Sequence, residues 1–241
     1  EEINRKIVDH ISDINIPYTE NAKKYLLSEG IRKDFIFKSG SPMKEILNFY
    51  EKDINNSKIL TKLKLSEKDY IVVSIHREEN VDNKKNFESI IDALNEVQTK
   101  YNKRIIFSTH PRTRKKIENL TKKINSKIKF IKPLGFFDYI LLQKKSFITL
   151  SDSGTLAEES SILKFPSVSI RTSTERPEAV DSGSFVIGSL DNNNILNSID
   201  LVLNLDFHTE PEDYDLINCS DKVIKIIQSY TSIVNKEVWK K

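Results

Sequence analysis

The chain has 241 residues, of which 38% are hydrophobic and 30% charged, with a formal net charge of +3. Its basic residues are mixed with acidic ones and form no basic block with interleaved aromatics, which argues against a nucleic-acid partner. No apolar run reaches the ~18 residues of a membrane span, and the single cysteine, Cys219, excludes an internal disulfide or a cysteine zinc site, which favours a cytoplasmic setting.

The first 57 residues predict a mixture of short elements. A polar opening (EEINRKIVDHISD) leads into an extended piece (INIPYT) and then a helix over residues 20–29, which Gly30 ends at a C′ position. A small strand (DFIFKSG) and a helix from residue 42 are expected next. This part resembles the end of one α/β domain followed by the start of another.

From about residue 58, short apolar runs alternate with stretches of helical spacing, such as Phe87, Ile90, Ile91, Leu94 and Val97. The predicted strands cover residues 70–75, 104–109, 128–132, 147–150, 167–170 and 184–187. This rhythm predicts βαβ units in a parallel sheet with helices on both faces. The last segment predicts one long helix over residues 214–238 that packs back across a domain interface.

Polar motifs follow the predicted strands. In chain order they are HREEN, HPR, PLGF, SDSGTLAEE and RTSTERPE. Because ligands of open parallel sheets bind beyond the carboxyl ends of the strands, these motifs are expected to converge on one ligand site. Two of the four histidines and several arginines belong to this group.

The SDSGTLAEE motif has two interpretations. Ser153, Gly154 and Thr155 at a helix N-terminus could hold a diphosphate through backbone N–H groups, two hydroxyls and the helix dipole, or they could simply cap the helix. Glu158 and Glu159 could accept hydrogen bonds from a ribose diol or only favour the helix dipole.

Each of the other candidate residues also has both a functional and a purely structural interpretation. His76 directly follows a buried strand and suits acid/base work or contact with a leaving phosphate, although a structural histidine is the alternative. His110, in the HPR motif, belongs either to the site or to the loop structure. Arg176, before Pro177, could clamp a phosphate or pair with Glu175 or Glu178.

Several cofactor motifs are missing from the sequence. It contains no GxGxxG, no GxxxxGK[ST] and no HExxH, so neither a dinucleotide, a Walker loop nor a metal is indicated. The residues by themselves therefore predict an α/β protein with a phosphorylated ligand, for which a nucleotide sugar fits better than ATP or NAD.

Taken in order, the motifs EEINR, IPYTE, SGSPMKE, SIHREEN, THPR, PLGFFDY, LSDSGTLAEES and RTSTERPEA resemble the non-hydrolysing UDP-N-acetylglucosamine 2-epimerase family over about residues 1–205. The resemblance implies a GT-B-like α/β fold, with a complete C-terminal Rossmann-like domain and an incomplete N-terminal one. The expected division is 1–50 for the N-terminal domain, 51–210 for the UDP-binding domain and 211–241 for the C-terminal helix.

The family pattern also implies roles for individual residues. It assigns catalysis to Glu1, Arg5 and His76. It assigns substrate binding to Tyr139 against the uracil, to Ser153, Gly154 and Thr155 at the diphosphate, to Glu159 at the ribose hydroxyls, and to Arg176. Tyr139 stands in place of a phenylalanine and Thr155 in place of a second glycine.

The implied reaction converts UDP-GlcNAc to UDP-ManNAc by elimination and re-addition of UDP, without a cofactor, in a homodimer of the full-length protein. Family members carry further residues before the EEINR motif, and the chain lacks an initiator methionine, so a C-terminal fragment that is inactive alone is expected. The rival functions are UDP-N-acetyl-L-fucosamine synthase, a GT-B glycosyltransferase and a non-catalytic nucleotide-sugar-binding module.

Overall fold

The computed structural model describes residues 2–109, 111–118, 120, 122–205 and 209–241, without the side chains of residues 111 and 112. The helices are α1 Glu2–Ile11, α2 Glu20–Ser28, α3 Met43–Phe49, α4 Glu51–Asn55, α5 Ile59–Leu63, α6 Glu78–Val81, α7 Lys84–Tyr101, α8 Pro111–Glu118, α9 Phe136–Lys144, α10 Leu156–Leu163, α11 Pro177–Asp181, α12 Asn192–Asn204 and α13 Cys219–Glu237. The strands are β1 Tyr70–Ser74, β2 Arg104–Ser108, β3 Ile128–Ile131, β4 Ile148–Ser151, β5 Ser167–Ser169 and β6 Val186–Ile187. None of the helices in these ranges is long and apolar enough to cross a membrane.

The chain divides into two compact units. Unit 1 consists of Glu1–Phe49 and Pro211–Lys241, and unit 2 is the continuous segment Tyr50–Glu210. The whole sheet lies in unit 2.

The sheet has six parallel strands in the order β3-β2-β1-β4-β5-β6, which confirms the predicted α/β class. All six predicted strands are present, and most of their ends agree within one residue. The strands are readable in the sequence because strands covered on both faces are apolar almost throughout. The order reverses between β1 and β4, which is the position where sheets of this kind bind ligands.

Helix α7 provides much of the core over one face of the sheet. Its predicted apolar stripe is buried at every position: Phe87, Ile90, Ile91, Leu94 and Val97. These side chains pack with residues of β1, β2 and β4 in one hydrophobic cluster. Full burial of one such side chain stabilises the fold by about 1.5–3 kcal/mol.

Unit 1 differs from the sequence prediction at its expected strand. The DFIFKSG segment forms a 3₁₀ turn, Lys33–Phe35, and a single parallel bridge from Ile36 to Asn15. Phe35 and Ile36 are both buried, so the apolar pair that suggested a strand serves the core of unit 1 instead.

The terminal segments add an element for which no prediction was made and change the start of one that was predicted. The polar opening segment forms α1, in which Ile3, Ile7 and Ile11 recur at helical spacing. At the other end, the long helix α13 begins at Cys219 instead of residue 214. The preceding residues form a 3₁₀ turn, Glu212–Tyr214, after which Leu216 packs directly over Gly40.

Candidate functional site

The candidate site lies where the strand order of unit 2 reverses. Strands β1 and β4 are neighbours, and their last residues, Ser74 and Ser151, stand opposite each other in register. His76 follows β1 by two residues, and Asp152 follows β4 directly. The topology therefore brings the HREEN and SDSGTLAEE motifs together, as the sequence predicts.

Asp152 is the centre of this junction. Its carboxylate is fully buried, and it accepts hydrogen bonds from the backbone N–H of His76 at 3.0 Å and of Arg77 at 2.9 Å. The side-chain amide of Asn80 donates to it at 2.9 Å. Burial opposes ionisation of this carboxyl, but the donors outweigh it and hold the pKa of Asp152 below its usual range.

His76 faces the same carboxylate. Its Nδ1 atom lies 3.1 Å from Oδ1 of Asp152, and its side chain remains half exposed. The hydrogen bond with Asp152 raises the pKa of His76, with partial burial acting in the opposite direction. The imidazole is thus anchored on one side and accessible on the other.

Two further HREEN residues, Arg77 and Asn80, tie the junction to the segment that follows β5. Asn80 also donates to the carbonyl of Ile170 at 3.2 Å. The Arg77 guanidinium donates to the carbonyl of Asp152 at 3.1 Å and to Glu175 at 3.3 Å. Much of this motif therefore serves to hold the ends of three strands together.

The turn between β4 and α10 is built from Ser153, Gly154 and Thr155. Thr155 is the N-cap residue of α10, yet its side chain makes no capping hydrogen bond. Instead, the hydroxyls of Ser153 and Thr155 lie 3.0 Å apart and bond to each other. A Cβ added at Gly154 would meet no heavy atom of the described chain within 4 Å. The turn therefore has no side-chain cap from Thr155 and is open to solvent around Gly154.

Glu158 and Glu159 are both buried in the first turn of α10. Glu158 pairs with Arg176 at 3.4 Å. Glu159 accepts a hydrogen bond from the amide of Gln143 at 2.8 Å, and burial raises its pKa above the usual range. Neither carboxylate is a surface residue that merely favours the helix dipole.

Arg176 is the N-cap residue of α11, where Pro177 occupies the first helical turn. The neighbouring Glu175 carboxylate forms a bidentate pair with Arg171, with distances of 2.7 and 2.5 Å. Arg171 is almost fully buried, so this pair fixes the loop that carries Arg176.

Tyr139 lies on α9, and its hydroxyl bonds to the hydroxyls of Ser74 and Ser151 at the ends of β1 and β4. Burial raises the pKa of this hydroxyl. The residue as a whole is of intermediate burial, and its hydroxyl contacts place it at the strand ends that precede the turn before α10. Tyr139 therefore joins the cluster, although its hydroxyl is directed to the strand ends.

Arg5 belongs to unit 1 and borders a cavity of about 450 Å³. Its guanidinium bonds to Glu2, Asp9 and Glu29, with the Glu2 hydrogen bond the largest factor that raises the pKa of Arg5. Glu1 and His110 lie outside the described residues.

Two polar residues of the cluster are absent from the sequence-based prediction. Asp152 could have been singled out, because it follows an apolar strand at the sheet edge where ligands of open parallel sheets bind. Gln143 gives a weaker signal, as a polar residue within the apolar helical stretch YILLQ. Over the described residues, no group of three or more His, Cys, Asp and Glu side chains could hold a metal ion.

Comparison with known proteins gives the same picture over most of the chain. A sequence model of the UDP-N-acetylglucosamine 2-epimerase family matches residues 1–228. UDP-N-acetylglucosamine 2-epimerase of Methanocaldococcus jannaschii is 38% identical over 212 residues, which are 85% of this chain and 58% of that protein. The chain thus spans less than two thirds of the length of this relative.

Solved structures agree with these matches. The structure of UDP-N-acetylglucosamine 2-epimerase from Rickettsia bellii superposes with a TM-score of 0.92 at 38% identity, covering 100% of this chain and 66% of that chain. The M. jannaschii enzyme, solved in complex with UDP-GlcNAc and UDP, gives a TM-score of 0.86 at 32% identity, covering 95% and 64%. The chain therefore belongs to the UDP-N-acetylglucosamine 2-epimerase family.

Proposed function

We propose that the chain is part of an enzyme that interconverts UDP-GlcNAc and UDP-ManNAc, and that unit 2 carries its UDP site. The observation behind this proposal is the junction of β1 and β4, where His76 pairs with Asp152, the residue directly before the turn of Ser153, Gly154 and Thr155. The M. jannaschii relative, whose structure was solved with UDP-GlcNAc and UDP, supports the choice of ligand.

In this proposal the diphosphate lies on the turn of Ser153, Gly154 and Thr155. The first backbone N–H groups of α10 and its dipole favour a negative charge there. Gly154 leaves the surface open to close approach, and the Ser153 hydroxyl is available as a donor once a ligand separates it from the Thr155 hydroxyl, which also bonds to Glu159. Arg176 adds a guanidinium, held in place by Glu158.

Glu159 is proposed to bind the ribose hydroxyls, with the aromatic ring of Tyr139 against the uracil. One carboxylate oxygen of Glu159 is already oriented by Gln143, and this fixes the direction of the other. A buried carboxylate oriented by Gln143 and by the Thr155 hydroxyl favours a diol, because the ribose hydroxyls would supply further donors to it.

The proposed chemistry is an elimination followed by a re-addition. A base removes the C2 proton while the C1–O bond to UDP breaks, which gives 2-acetamidoglucal and UDP. A proton is then delivered to the opposite face of C2 and UDP re-adds at C1. His76 is proposed to stabilise the departing diphosphate as a cation, and Glu1 and Arg5 to take part in the proton transfers.

Deuterium exchange tests the proposal directly. The gene product that contains this sequence is incubated with UDP-GlcNAc in heavy water, and both UDP-sugars are recovered and analysed by mass spectrometry and NMR. We expect deuterium at C2 of both epimers. Turnover that needs an acceptor, without exchange, would show a glycosyltransferase, and UDP binding without any turnover would show a binding module; either result contradicts the proposal.

A 2-epimerase that acts on a different UDP-sugar is the second candidate. A Pseudomonas aeruginosa relative, 33% identical over 78% of this chain, is named UDP-2,3-diacetamido-2,3-dideoxy-D-glucuronate 2-epimerase. The motif forms SGSPMKE and HREEN also favour comparison with UDP-N-acetyl-L-fucosamine synthase. Parallel assays with UDP-GlcNAc and with the corresponding 6-deoxy-talose and diacetamido-glucuronate substrates separate these candidates by kcat/KM.

The family resemblance also supports a homodimer for the enzyme. Light scattering of the purified gene product distinguishes a dimer from a monomer.

A further inference from the structure

We infer that Asp152 is the positioning residue of His76: it fixes the imidazole by Nδ1 and reserves Nε2 for the ligand. The inference rests on the proposed function, because it assigns the ligand as the diphosphate of a nucleotide sugar. The proposed function uses Ser153, Gly154, Thr155, Glu158 and Glu159 of the SDSGTLAEE motif but gives no role to Asp152, so this role is additional to it.

The contacts of Asp152 allow little freedom. Its carboxylate is fully buried and therefore has no water with which to exchange partners. The backbone N–H groups of His76 and Arg77 and the amide of Asn80 hold one oxygen, Oδ2, at 2.9–3.0 Å. The other oxygen, Oδ1, faces Nδ1 of His76 at 3.1 Å. The same side chain thus fixes both the backbone and the ring of His76.

This geometry determines the tautomer of the neutral ring. A carboxylate opposite Nδ1 requires a proton on Nδ1, because an unprotonated nitrogen and a carboxylate would repel each other. In the neutral ring Nε2 is then an acceptor, and in the charged ring it is a donor. The half-exposed position of the ring makes Nε2 accessible to a ligand at the adjacent turn.

The arrangement also controls the charge of His76. Three charged groups act on the ring: Asp152 and Glu79 favour the protonated form, and Arg77 opposes it. Asp152 is the strongest of these because it bonds directly to the ring. Since a cationic ring binds a diphosphate better than a neutral one, affinity for UDP should fall as pH rises through the raised pKa of His76.

The first experiment leaves Asp152 unchanged. Long-range ¹H–¹⁵N NMR spectra of the 241-residue chain are recorded above the titration of His76, whose signals are identified by their loss in a His76→Asn variant. We expect the proton on Nδ1. A proton on Nε2 overturns the inference, whether or not any Asp152 variant folds.

The second experiment compares Asp152→Asn with Glu79→Gln. Both substitutions remove one negative charge near His76, but Glu79 is mainly exposed and does not bond to the ring. We expect Asp152→Asn to lower the pKa of His76 by roughly 1–3 units. Glu79→Gln should lower it by less than about 0.5, as is usual for exposed charges. Equal shifts in the two variants overturn the inference.

Calorimetric UDP titrations of the same samples, between about pH 5.5 and 8.5, complete the test. The decline of UDP affinity with pH should move to lower pH in Asp152→Asn and stay in place in Glu79→Gln. A common pH profile in all three proteins overturns the inference. If the unsubstituted chain binds no UDP at any pH, the proposed function fails, and the NMR tautomer alone decides the positioning role.

Discussion

The buried carboxylates of Asp152, Glu158 and Glu159 each have a different set of partners. Asp152 receives two backbone N–H groups, an amide and an imidazole. Glu158 pairs with the guanidinium of Arg176. Glu159 bonds to the amide of Gln143 and to the Thr155 hydroxyl, which are neutral donors. A buried carboxylate with neutral partners costs folding free energy, and such residues cluster where ligands bind.

Glu159→Gln should therefore separate stability from binding. Because the folded-state pKa of Glu159 is raised, its cost to stability is absent below the unfolded pKa of about 4.3 and increases as pH rises toward the folded pKa. We expect the variant to be more stable than the parent at pH 7 by on the order of 1 kcal/mol in urea denaturation, with no difference below about pH 4. UDP affinity should fall about 10- to 100-fold.

Glu158→Gln is the matched control, because it removes the neighbouring buried carboxylate from an ion pair with Arg176. This variant should lose about 1–2 kcal/mol at pH 7. If Glu159→Gln is also destabilised at pH 7, its hydrogen bonds outweigh the cost of burial and the ligand-binding explanation for its burial is wrong.

Tyr139→Phe tests whether UDP binding depends on the ring of Tyr139 or on its hydroxyl. The hydroxyl bonds to Ser74 and Ser151, so its removal should cost about 0.5–1.5 kcal/mol of stability. The proposed contact with uracil uses only the ring, so UDP affinity should stay within about twofold. Calorimetry and urea denaturation measure the two effects. A large loss of UDP affinity would show that the hydroxyl itself binds the ligand.

At the scale of elements, a substitution in the turn between β4 and α10 tests where the diphosphate binds. Space is open around Gly154, so Gly154→Ala should leave the stability unchanged or raise it by about 0.4–1 kcal/mol. A methyl group on the surface that receives the diphosphate should nevertheless weaken UDP binding by about tenfold or more, as measured by calorimetry. Gly135→Ala, at the equally open N-cap of α9, is the control for the stability effect alone.

An unchanged UDP affinity in Gly154→Ala would contradict the proposed position of the diphosphate. A strong loss of stability, by contrast, would show that other atoms occupy the space beside Gly154 in solution. A weaker UDP affinity would then not identify the position of the diphosphate.

The sequence predicts an element well when its buried residues follow a regular pattern. Strand β1 is apolar from Tyr70 to Val73 because both faces are covered, and α7 shows its one buried stripe at regular helical spacing. The DFIFKSG segment has no such regular pattern. Its two adjacent buried residues, Phe35 and Ile36, occur in a turn as readily as in a strand. Local pattern cannot distinguish these cases without the tertiary contacts.

The site shows the same limit. The motifs after β1 and β4 could be placed at one edge of a parallel sheet from the sequence, and the structure joins them there. The bond between His76 and Asp152 could not be predicted, because it depends on the order of strands and on the register of Ser74 against Ser151. Neither is encoded in any short stretch of sequence.

At the scale of the whole molecule, the sheet and the proposed UDP-binding residues belong to one continuous segment. Unit 2 contains His76, Tyr139, Glu159, Arg176 and the turn before α10, whereas Arg5 belongs to unit 1. The hydrophobic core cluster around β1 and α7 is also confined to unit 2. Binding of UDP and proton transfer at C2 are thus proposed to depend on different parts of the chain.

Residues 50–210 alone should therefore fold and bind UDP. This segment is of ordinary domain size and has its own sheet and core, so we expect a single cooperative urea transition. Its UDP affinity should lie within about threefold of that of the 241-residue chain, since the proposed contacts all lie within it. His76→Asn and Glu159→Gln should weaken binding equally in both proteins. A segment that folds cooperatively but binds UDP more than about tenfold more weakly would show that unit 1 supplies part of the UDP site, and the assignment of that site to unit 2 would be wrong.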